Sequence, residues 1–302
     1  MVIKKTFLFI FLVSSFVFST SYNWQNAPSY EEKPILKFAL ITDTHCTCQG
    51  EFKKEPKHII QIGPYRVHWK NSYYSFSIVE KTIKYIGNNV KPDFIIHCGD
   101  ITEYGKKEDM EEVKKILDNS IIPYYVVMGD HDVVGKNNFK DVFGEKYYSF
   151  DFNNWHFIII GIFPSDEEIS YLKNDLKENS QKPTIIATHR LLICDRFTKF
   201  LVKNFTHNTP LLMPKANEIL SIIKEFPQVK IVLSGHIHSN LHYKENNIHF
   251  ISTSSLIEPP YQFRNFVVYK DKIFVQTYIS KNINSLLNGE WDVFNEEIIY
   301  LK

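Results

Sequence analysis

The sequence predicts an α/β fold in which strands and helices alternate and form a largely parallel sheet. Apolar runs of strand length alternate with amphipathic stretches of helical length, a pattern typical of βαβ units. Near the C-terminus, β-rich segments follow one another without a helix, which indicates a mixed sheet or a second sheet. The 44% hydrophobic content, with 24 Phe and 17 Tyr, is sufficient for a sizeable core.

The first 21 residues are predicted to be a secretory signal peptide. Lys4 and Lys5 provide a basic start, residues 6–18 are mostly apolar, and Ser19 and Ser21 have the small-residue spacing of a cleavage site. The apolar stretch is shorter than the roughly 20 residues that a spanning helix needs, which favours cleavage over an uncleaved membrane anchor. We therefore expect a secreted or otherwise extracytoplasmic protein with a single domain at residues 22–302, whose core covers about 35–280.

The charge balance argues against a nucleic-acid-binding surface. Only two of the 35 basic residues lie in the predicted signal peptide, which leaves 33 basic against 34 acidic residues in the mature chain. A binder of nucleic acids usually carries a clear basic excess. No other segment is apolar and long enough for a stable membrane span after cleavage.

The four cysteines are too few for a disulfide scaffold. Export permits disulfides, and Cys46 and Cys48 are too close together for an easy mutual bridge. A bridge from one of them to Cys194 and a set of free thiols are both compatible with the sequence.

The first half of the chain contains three predicted strands separated by helices. Residues 35–42, 93–97 and 122–128 are apolar runs of strand length. Residues 75–88 carry isoleucines at helical spacing, and residues 107–119 form a charged amphipathic pattern. A polar and aromatic insertion at residues 46–72 follows the first strand, and it either borders the site or covers the edge of the sheet.

The second half begins with a predicted hairpin. Residues 147–152 and 156–163 are the two strands, with Asn153-Asn154 as the turn between them. The remaining elements are helices at residues 166–179 and 216–225, strands at residues 184–188 and from Ile231, and β-structure at residues 248–252 and 266–280 with a turn at residues 270–272.

Acidic residues and histidines follow five of the predicted strands. Ligands in α/β sheets bind outside the carboxyl ends of the strands, so these side chains are expected in one crevice. Each residue alone has an ordinary explanation as a loop cap, a helix cap or a core histidine, but the combination is improbable for a purely structural domain. The seven candidates are Asp43, His45, Asp100, Asp130, His189, His236 and His238.

Two of these histidines are one residue apart, after the small Ser234-Gly235 pair. If the segment remains extended, side chains two apart point the same way, so His236 and His238 would face one point. Glycine lets the backbone approach whatever is bound there.

The seven side chains predict a dinuclear metal site. Seven nitrogen and oxygen ligands are too many for one ion, and mixed imidazole and carboxylate donors suit Zn, Mn or Fe. Two ions bridged by a carboxylate are the standard arrangement for phosphoester hydrolysis. His131 has no ligand role, so we expect it to face the phosphate or the leaving group, with Asp132 holding its ring.

This set of motifs resembles the calcineurin-like metallophosphoesterase superfamily. The motifs are Asp43-x-His45, Gly99-Asp100, Gly129-Asp130-His131-Asp132, His189 and Gly235-His236-x-His238. They occur in the family's order and cover nearly the whole mature chain. The run from Gly99 to Gly105 is most similar to the branch of cyclic-nucleotide phosphodiesterases and glycerophosphodiesterases.

The resemblance implies a four-layer α/β/β/α sandwich with two mixed sheets flanked by helices. It also implies roles for the site residues, namely Asp43, His45 and His238 on one metal, Asp100 as the bridge, Asp130, His189 and His236 on the other metal, and His131 on the substrate with Asp132 behind it. The metals would be Mn, Zn or Fe.

The sequence departs from the family pattern at two positions. Asp130 stands where the family has Asn, which adds a negative charge that would strengthen metal binding and weaken attraction for phosphate. Arg190 follows His189 where relatives often carry another His. Arg190 either contacts a phosphate as a fixed cation or points to solvent.

We therefore expect a secreted dinuclear-metal-dependent phosphoesterase that hydrolyses small phosphomono- or phosphodiesters with metal-activated water. The alternative is a catalytically weakened or inactive protein of the same fold that acts in binding or anchoring. Asp130 motivates the alternative, and the complete set of other ligands argues against it. The substrate, the metals and the oligomeric state are left open by the sequence.

Overall fold

The computed structural model describes residues 32–48, 59–62, 65–68, 71–135, 137–194 and 210–301. The predicted signal peptide lies outside the described residues, as does most of the insertion at residues 46–72. Within the described chain, two strands of that insertion pair as an antiparallel hairpin.

The described residues contain 14 strands, numbered along the chain. They are β1 (Leu36–Ile41), β2 (Ile59–Ile62), β3 (Tyr65–His68), β4 (Phe94–His97), β5 (Tyr124–Val126), β6 (Tyr147–Phe152), β7 (Trp155–Ile160), β8 (Thr184–Thr188), β9 (Val229–Ser234), β10 (Leu241–Glu245), β11 (Ile248–Ser252), β12 (Gln262–Val268), β13 (Lys272–Ile279) and β14 (Asp292–Tyr300).

The described α-helices flank these strands. They are α1 (Ser75–Tyr85), α2 (Lys107–Asp118), α3 (Asn138–Phe143), α4 (Asp166–Glu178), α5 (Ala216–Lys224) and α6 (Ile283–Leu287). Helix α4 begins at a capping box, in which the Ser165 hydroxyl accepts from the Glu168 N–H and the Glu168 carboxylate accepts from the Ser165 N–H.

Two six-stranded mixed sheets form the centre of the molecule. The first has the order β14-β13-β12-β1-β4-β5, and the second has the order β10-β11-β9-β8-β7-β6. Strands β1, β4 and β5 are parallel, as are β7, β8, β9 and β11. The other neighbours within the two sheets are antiparallel. The predicted pair of mixed sheets is therefore confirmed.

Three apolar clusters separate four layers. Between the sheets, Phe38 of β1 stacks on Phe94 of β4 and meets Phe157 of β7 edge-on. Ile78 of α1 and Met110 of α2 are buried against the outer face of the first sheet, and Leu172 of α4 is buried against the outer face of the second. This is the predicted α/β/β/α sandwich.

The carboxyl ends of the parallel strands meet at one end of the sandwich. Beyond β1, the Asp43 N–H donates to the carbonyl of Gly99, which follows β4, at 3.0 Å. Beyond β9, the Gly235 N–H donates to the carbonyl of His189, which follows β8, at 3.0 Å. These hydrogen bonds bring the loops that carry the candidate site residues together.

Several elements differ from the sequence prediction. The predicted strand at residues 122–128 is only three residues long (Tyr124–Val126), and the helix that was expected to reach residue 88 ends at Tyr85 and continues as one π-helical turn (Ile86–Val90). The predicted end of the core near residue 280 is too early, because β14 pairs with β13 as far as Tyr300.

Two further observations concern the cysteines and the membrane. The described chain contains no disulfide bond, so no bridge joins Cys46 or Cys48 to Cys194. Cys46 and Cys98 are buried. Among the residues described, every helix is too short or too polar to cross a membrane.

Candidate metal centre

The backbone turns sharply at the candidate ligands. Five of them have left-handed conformations, with φ of 52° at Asp43, 40° at His45, 49° at Asp100, 67° at His236 and 50° at His238. Such residues cost free energy and persist where the surrounding structure fixes them, which is common at functional sites. The expectation of an extended segment at residues 236–238 is therefore wrong, and the two rings join different donor groups.

One donor group consists of Asp43, His45 and His238. Their ligand atoms lie within 4.8 Å of one another. His238 Nε2 lies 3.2 Å from Asp43 Oδ1 and 3.3 Å from His45 Nε2. Asp43 and His45 are almost completely buried.

The second donor group consists of Asp100, His189 and His236. His189 Nε2 lies 3.3 Å from Asp100 Oδ2. Asp130 borders this group, with its Oδ2 at 3.2 Å from His236 Nδ1 and 3.5 Å from His189 Nε2. Asp100 also faces the first group, because its Oδ2 lies 3.8 Å from His45 Nε2. All seven predicted ligands thus lie together at the carboxyl ends of the strands.

Each candidate histidine directs one ring nitrogen into the site and the other toward an oxygen acceptor. Such outer contacts fix the orientation and tautomer of metal-binding histidines. The contacts join His45 Nδ1 to Glu103 (2.9 Å), His238 Nδ1 to Glu258 (2.8 Å), His189 Nδ1 to the Cys98 carbonyl (2.7 Å) and His236 Nε2 to the Pro210 carbonyl (3.1 Å).

Glu103 and Glu258 were missed by the sequence analysis. Glu103 is only three residues after Asp100, in the same loop, so its proximity could have been noticed. Glu258 lies in the loop between β11 and β12, where neither spacing nor a strand end marks it. Its burial beside His238 is visible only in the folded chain.

The donor set fits a divalent cation. Among the described residues, none forms a hydrogen bond with the buried His189 Nε2, while Nδ1 of the same ring donates to the Cys98 carbonyl. Burial lowers the pKa of His189, but the surrounding carboxylates, Asp100 first, raise it to about 10. The site therefore favours positive charge at this nitrogen, which a proton or a metal ion can supply.

The carboxylates of Asp43 and Asp100 are also stabilised by nearby positive charge. Burial opposes ionisation of Asp43, yet the adjacent His238 holds the pKa of Asp43 well below its usual range. Burial likewise opposes ionisation of Asp100, but His189, His45 and His131 lower the pKa of its carboxyl group. Both groups are therefore available as anionic ligands at neutral pH.

His131 lies at the rim of the centre, with its side chain 37% exposed. Its Nδ1 is 2.7 Å from the Glu103 carbonyl and its Nε2 is 3.9 Å from Asp100 Oδ2. Its backbone N–H donates to Asp100 Oδ1 at 2.9 Å. The ring is thus held by a backbone carbonyl.

The expectation that Asp132 holds the His131 ring is therefore wrong. The buried Asp132 carboxylate accepts from the backbone N–H groups of Ile101, Thr102 and Gly129, at 3.0–3.1 Å. Asp132 thus ties the loop after β4 to the loop after β5, and it acts on the loops that carry Asp100 and Asp130.

The Arg190 side chain does not point to solvent. Its side chain is 7% exposed, and Nε donates to Asp130 Oδ2 at 3.0 Å while Nη2 donates to Asp130 Oδ1. The carboxylate and the guanidinium form a bidentate ion pair. The added charge of Asp130 is therefore compensated inside the protein.

A family model for calcineurin-like phosphoesterases matches residues 36–240. This region includes every candidate ligand described above. The chain belongs to the calcineurin-like phosphoesterase family. The family is metal-dependent, and the two donor groups are candidate metal-binding clusters of this member.

Similar proteins include named phosphodiesterases and a dimetal phosphatase. The chain is 24% identical over 244 residues to a 3',5'-cyclic-nucleotide phosphodiesterase of Nostoc sp., covering 78% of this chain and 82% of that protein. It is 23% identical over 233 residues to the 3',5'-cyclic adenosine monophosphate phosphodiesterase of Haemophilus influenzae, covering 74% and 77%. A dimetal phosphatase from Danio rerio has a similar fold, with a TM-score of 0.64 at 13% identity, over 89% of this chain and 100% of that chain.

These findings identify this chain as a metal-dependent phosphoric ester hydrolase.

Proposed function

We propose that the protein is a dinuclear phosphoesterase that hydrolyses small phosphate esters. Asp43, His45 and His238 would hold one ion, and His189, His236 and Asp130 the other. The position of Asp100 carries the proposal, because its Oδ2 lies 3.3 Å from His189 Nε2 in one donor group and 3.8 Å from His45 Nε2 in the other. A carboxylate between two donor groups is the arrangement of a bridged two-metal site.

Bound ions would supply positive charge to the phosphoryl oxygens and acidify the attacking water. The chain contributes orientation, because its outer carboxylates and carbonyls fix the ligand rings before substrate binds. The site is largely buried, so the charges that the residues present act with little screening.

His131 is proposed to handle the proton of the leaving group. Its Nδ1 donates to the Glu103 carbonyl, so Nε2 is the nitrogen that faces the centre. A partly exposed ring on the rim can reach a substrate oxygen, and protonated Nε2 can donate to that oxygen as the ester bond breaks.

The proposed substrate class rests on the activities for which the relatives are named. Two of them are named as phosphodiesterases of cyclic nucleotides, which makes small phosphodiesters the first substrates to test for this chain. Phosphomonoesters are the second class.

We further propose that residues 1–21 direct export and that residues 22–302 form a single domain. The basic start, apolar stretch and small residues at positions 19 and 21 support this proposal. Sequencing the N-terminus of the protein collected outside the cytoplasm of its expression host checks it. A mature chain that begins near residue 22 is expected, and a chain that keeps Met1 contradicts cleavage.

A binding or anchoring protein without catalysis is the second candidate, favoured by Asp130 in place of the family's Asn. The complete set of other donors favours the enzyme, because binding alone does not require seven converging metal ligands.

The experiment measures hydrolysis of bis-p-nitrophenyl phosphate beside p-nitrophenyl phosphate. The mature chain is loaded with Mn²⁺, Zn²⁺ or Fe²⁺, and His236→Ala serves as the control. Metal-dependent turnover that His236→Ala loses is expected, and the ratio of the two rates separates diesterase from monoesterase. A folded, metal-loaded protein without turnover contradicts the enzyme and supports the second candidate.

A further inference from the structure

Asp130 and Arg190 form a partly buried ion pair at the edge of the candidate metal centre. Arg190 is 6% exposed and uses two guanidinium nitrogens on the two Asp130 oxygens. The same Asp130 Oδ2 that accepts from Arg190 Nε lies 3.2 Å from His236 Nδ1. Arg190 therefore fixes the oxygen that Asp130 presents to the second donor group.

Within the part of the chain that the structure describes, Arg190 also contacts an aromatic ring. Its guanidinium lies 5.5 Å from the Phe163 ring centre, so that ring covers it on one side. A guanidinium that is covered by an aromatic ring and forms a bidentate contact with a carboxylate is poorly placed to bind a phosphate.

The pair also accounts for the charge of the centre. The family's amide at this position is neutral, whereas Asp130 adds one negative charge to a site that already contains Asp43 and Asp100. A charge inside a buried site acts strongly on an anionic substrate that is bound there. Arg190 supplies the opposite charge within hydrogen-bonding distance, so the two residues together carry no net charge.

We propose that Arg190 is a positioning residue that acts through Asp130, and that the two residues together replace a single neutral ligand. Arg190 holds the carboxylate in place and cancels its charge, so the centre binds cations through Asp130 without repelling phosphate. Removal of either member alone exposes the charge of the other. This inference rests on the proposed metal centre.

A double-mutant cycle tests the proposal. Asp130→Asn, Arg190→Gln and the double variant are compared by titration calorimetry with Mn²⁺ and by competitive inhibition with inorganic phosphate. Asp130→Asn leaves an unpaired guanidinium and is expected to weaken Mn²⁺ binding by about tenfold or more. Arg190→Gln leaves an unpaired carboxylate and is expected to weaken phosphate binding by a similar factor. The double variant is expected to recover most of both losses.

Lys114→Gln serves as a matched control for the loss of one positive charge. Lys114 pairs with Asp118 at 2.6 Å on an exposed face of α2. Because Asp118 also contacts Tyr124 at the amino end of β5, this pair lies at the opposite end of the strand from the centre. Both affinities are expected to match those of the wild type.

The unfolding midpoint of the metal-free proteins provides an independent measure. An unpaired buried charge destabilises the fold, so each single variant is expected to unfold at a lower temperature than the double variant. If Asp130→Asn does not fold while the double variant does, the restored folding itself shows that the second substitution compensates for the first.

Two results overturn the proposal. If the double variant keeps the full phosphate defect of Arg190→Gln, Arg190 contacts the phosphate itself. If the effects of the two single substitutions simply add, the residues do not act as a unit. A wild-type protein that binds no Mn²⁺ instead contradicts the metal centre of the proposed function, which separates the two failures.

Discussion

Gly235 lies where the loop after β9 passes closest to the first donor group. A Cβ at this position would collide with Thr42 Oγ1 and stand 2.6 Å from Asp43 Oδ2. Gly235→Ala is therefore expected to displace Asp43, to weaken Mn²⁺ binding and to cost about 1–3 kcal/mol of folding free energy. Calorimetric titration and thermal unfolding measure the two effects.

Gly87→Ala is the matched control for Gly235→Ala. Its added Cβ would meet Ile122 Cδ1 at 3.4 Å, which is close to ordinary packing. Gly87→Ala is expected to bind Mn²⁺ as the wild type does. Equal affinities for the two alanine variants would contradict the role of close backbone approach at Gly235.

Glu258 holds His238 from behind the centre. Its Oε2 lies 2.8 Å from His238 Nδ1, and its side chain is buried. Glu258→Gln keeps the shape of the side chain but removes the charge, so Mn²⁺ affinity is expected to fall about 10–100-fold. Titration calorimetry measures the change, with Glu245→Gln on an exposed pair with Lys224 as the control. An unchanged affinity would show that His238 needs no carboxylate to be oriented.

At the residue scale, the sequence predicts which side chains meet but not how they are held. Asp43 and His189 could be found because each follows an apolar strand, and strand ends converge in this class of fold. The bidentate contact between Asp130 and Arg190 depends on two loops that are 60 residues apart. No local sequence pattern indicates such a contact, so the sequence alone leaves the role of Arg190 open.

His156 connects three elements of the second sheet layer. His156 lies near the start of β7. Its ring contacts Asp151 of β6 at 2.8 Å and Asp175 of α4 at 3.0 Å. Burial alone lowers the pKa of His156, but the carboxylates of Asp175 and Asp151 raise it above 6.5. The proton is therefore held more tightly in the folded chain than in the unfolded chain.

His156→Asn is accordingly expected to cost more stability at pH 6 than at pH 9. The stabilisation is complete below the unfolded pKa and is lost as the pH rises through the raised folded pKa. The cost at pH 6 is about 1–3 kcal/mol for hydrogen bonds to charged groups, and chemical denaturation at both pH values measures it. Lys182→Gln is the control, because it removes another contact to Asp151 and leaves the imidazole in place. A cost that does not depend on pH contradicts the ionised pair.

At the element scale, strongly apolar strands were predictable and polar edge strands were not. Strand β8 is entirely buried, and its predicted bounds agree with those observed. Strand β14 is mostly exposed and carries Asn295, Glu296 and Glu297, so it lacks an apolar run. It forms because β13 offers it a free edge. This pairing is a tertiary effect that local propensity does not report.

The candidate metal centre joins the two halves of the sandwich. Asp43 and Asp100 follow strands of the first sheet, whereas His189 and His236 follow strands of the second. The apolar layer between the sheets already holds them together, with Phe38 and Phe157 in contact. Bound ions are therefore expected to add to a stability that the apolar layer already provides, since ligands of the native state shift unfolding by mass action.

Metal removal should consequently lower the melting temperature without unfolding the chain. At a free Mn²⁺ concentration of about 100 times the dissociation constant, each bound ion adds about 2.7 kcal/mol, or roughly 5 °C for a domain of this size. Differential scanning calorimetry with Mn²⁺ and then with a chelator measures the shift, and circular dichroism at 25 °C checks the fold. His236→Ala, which lacks one ligand of the second donor group, is expected to show a clearly smaller shift. Loss of structure on chelation at 25 °C would mean that the ions, rather than the three apolar clusters, hold the sheets together.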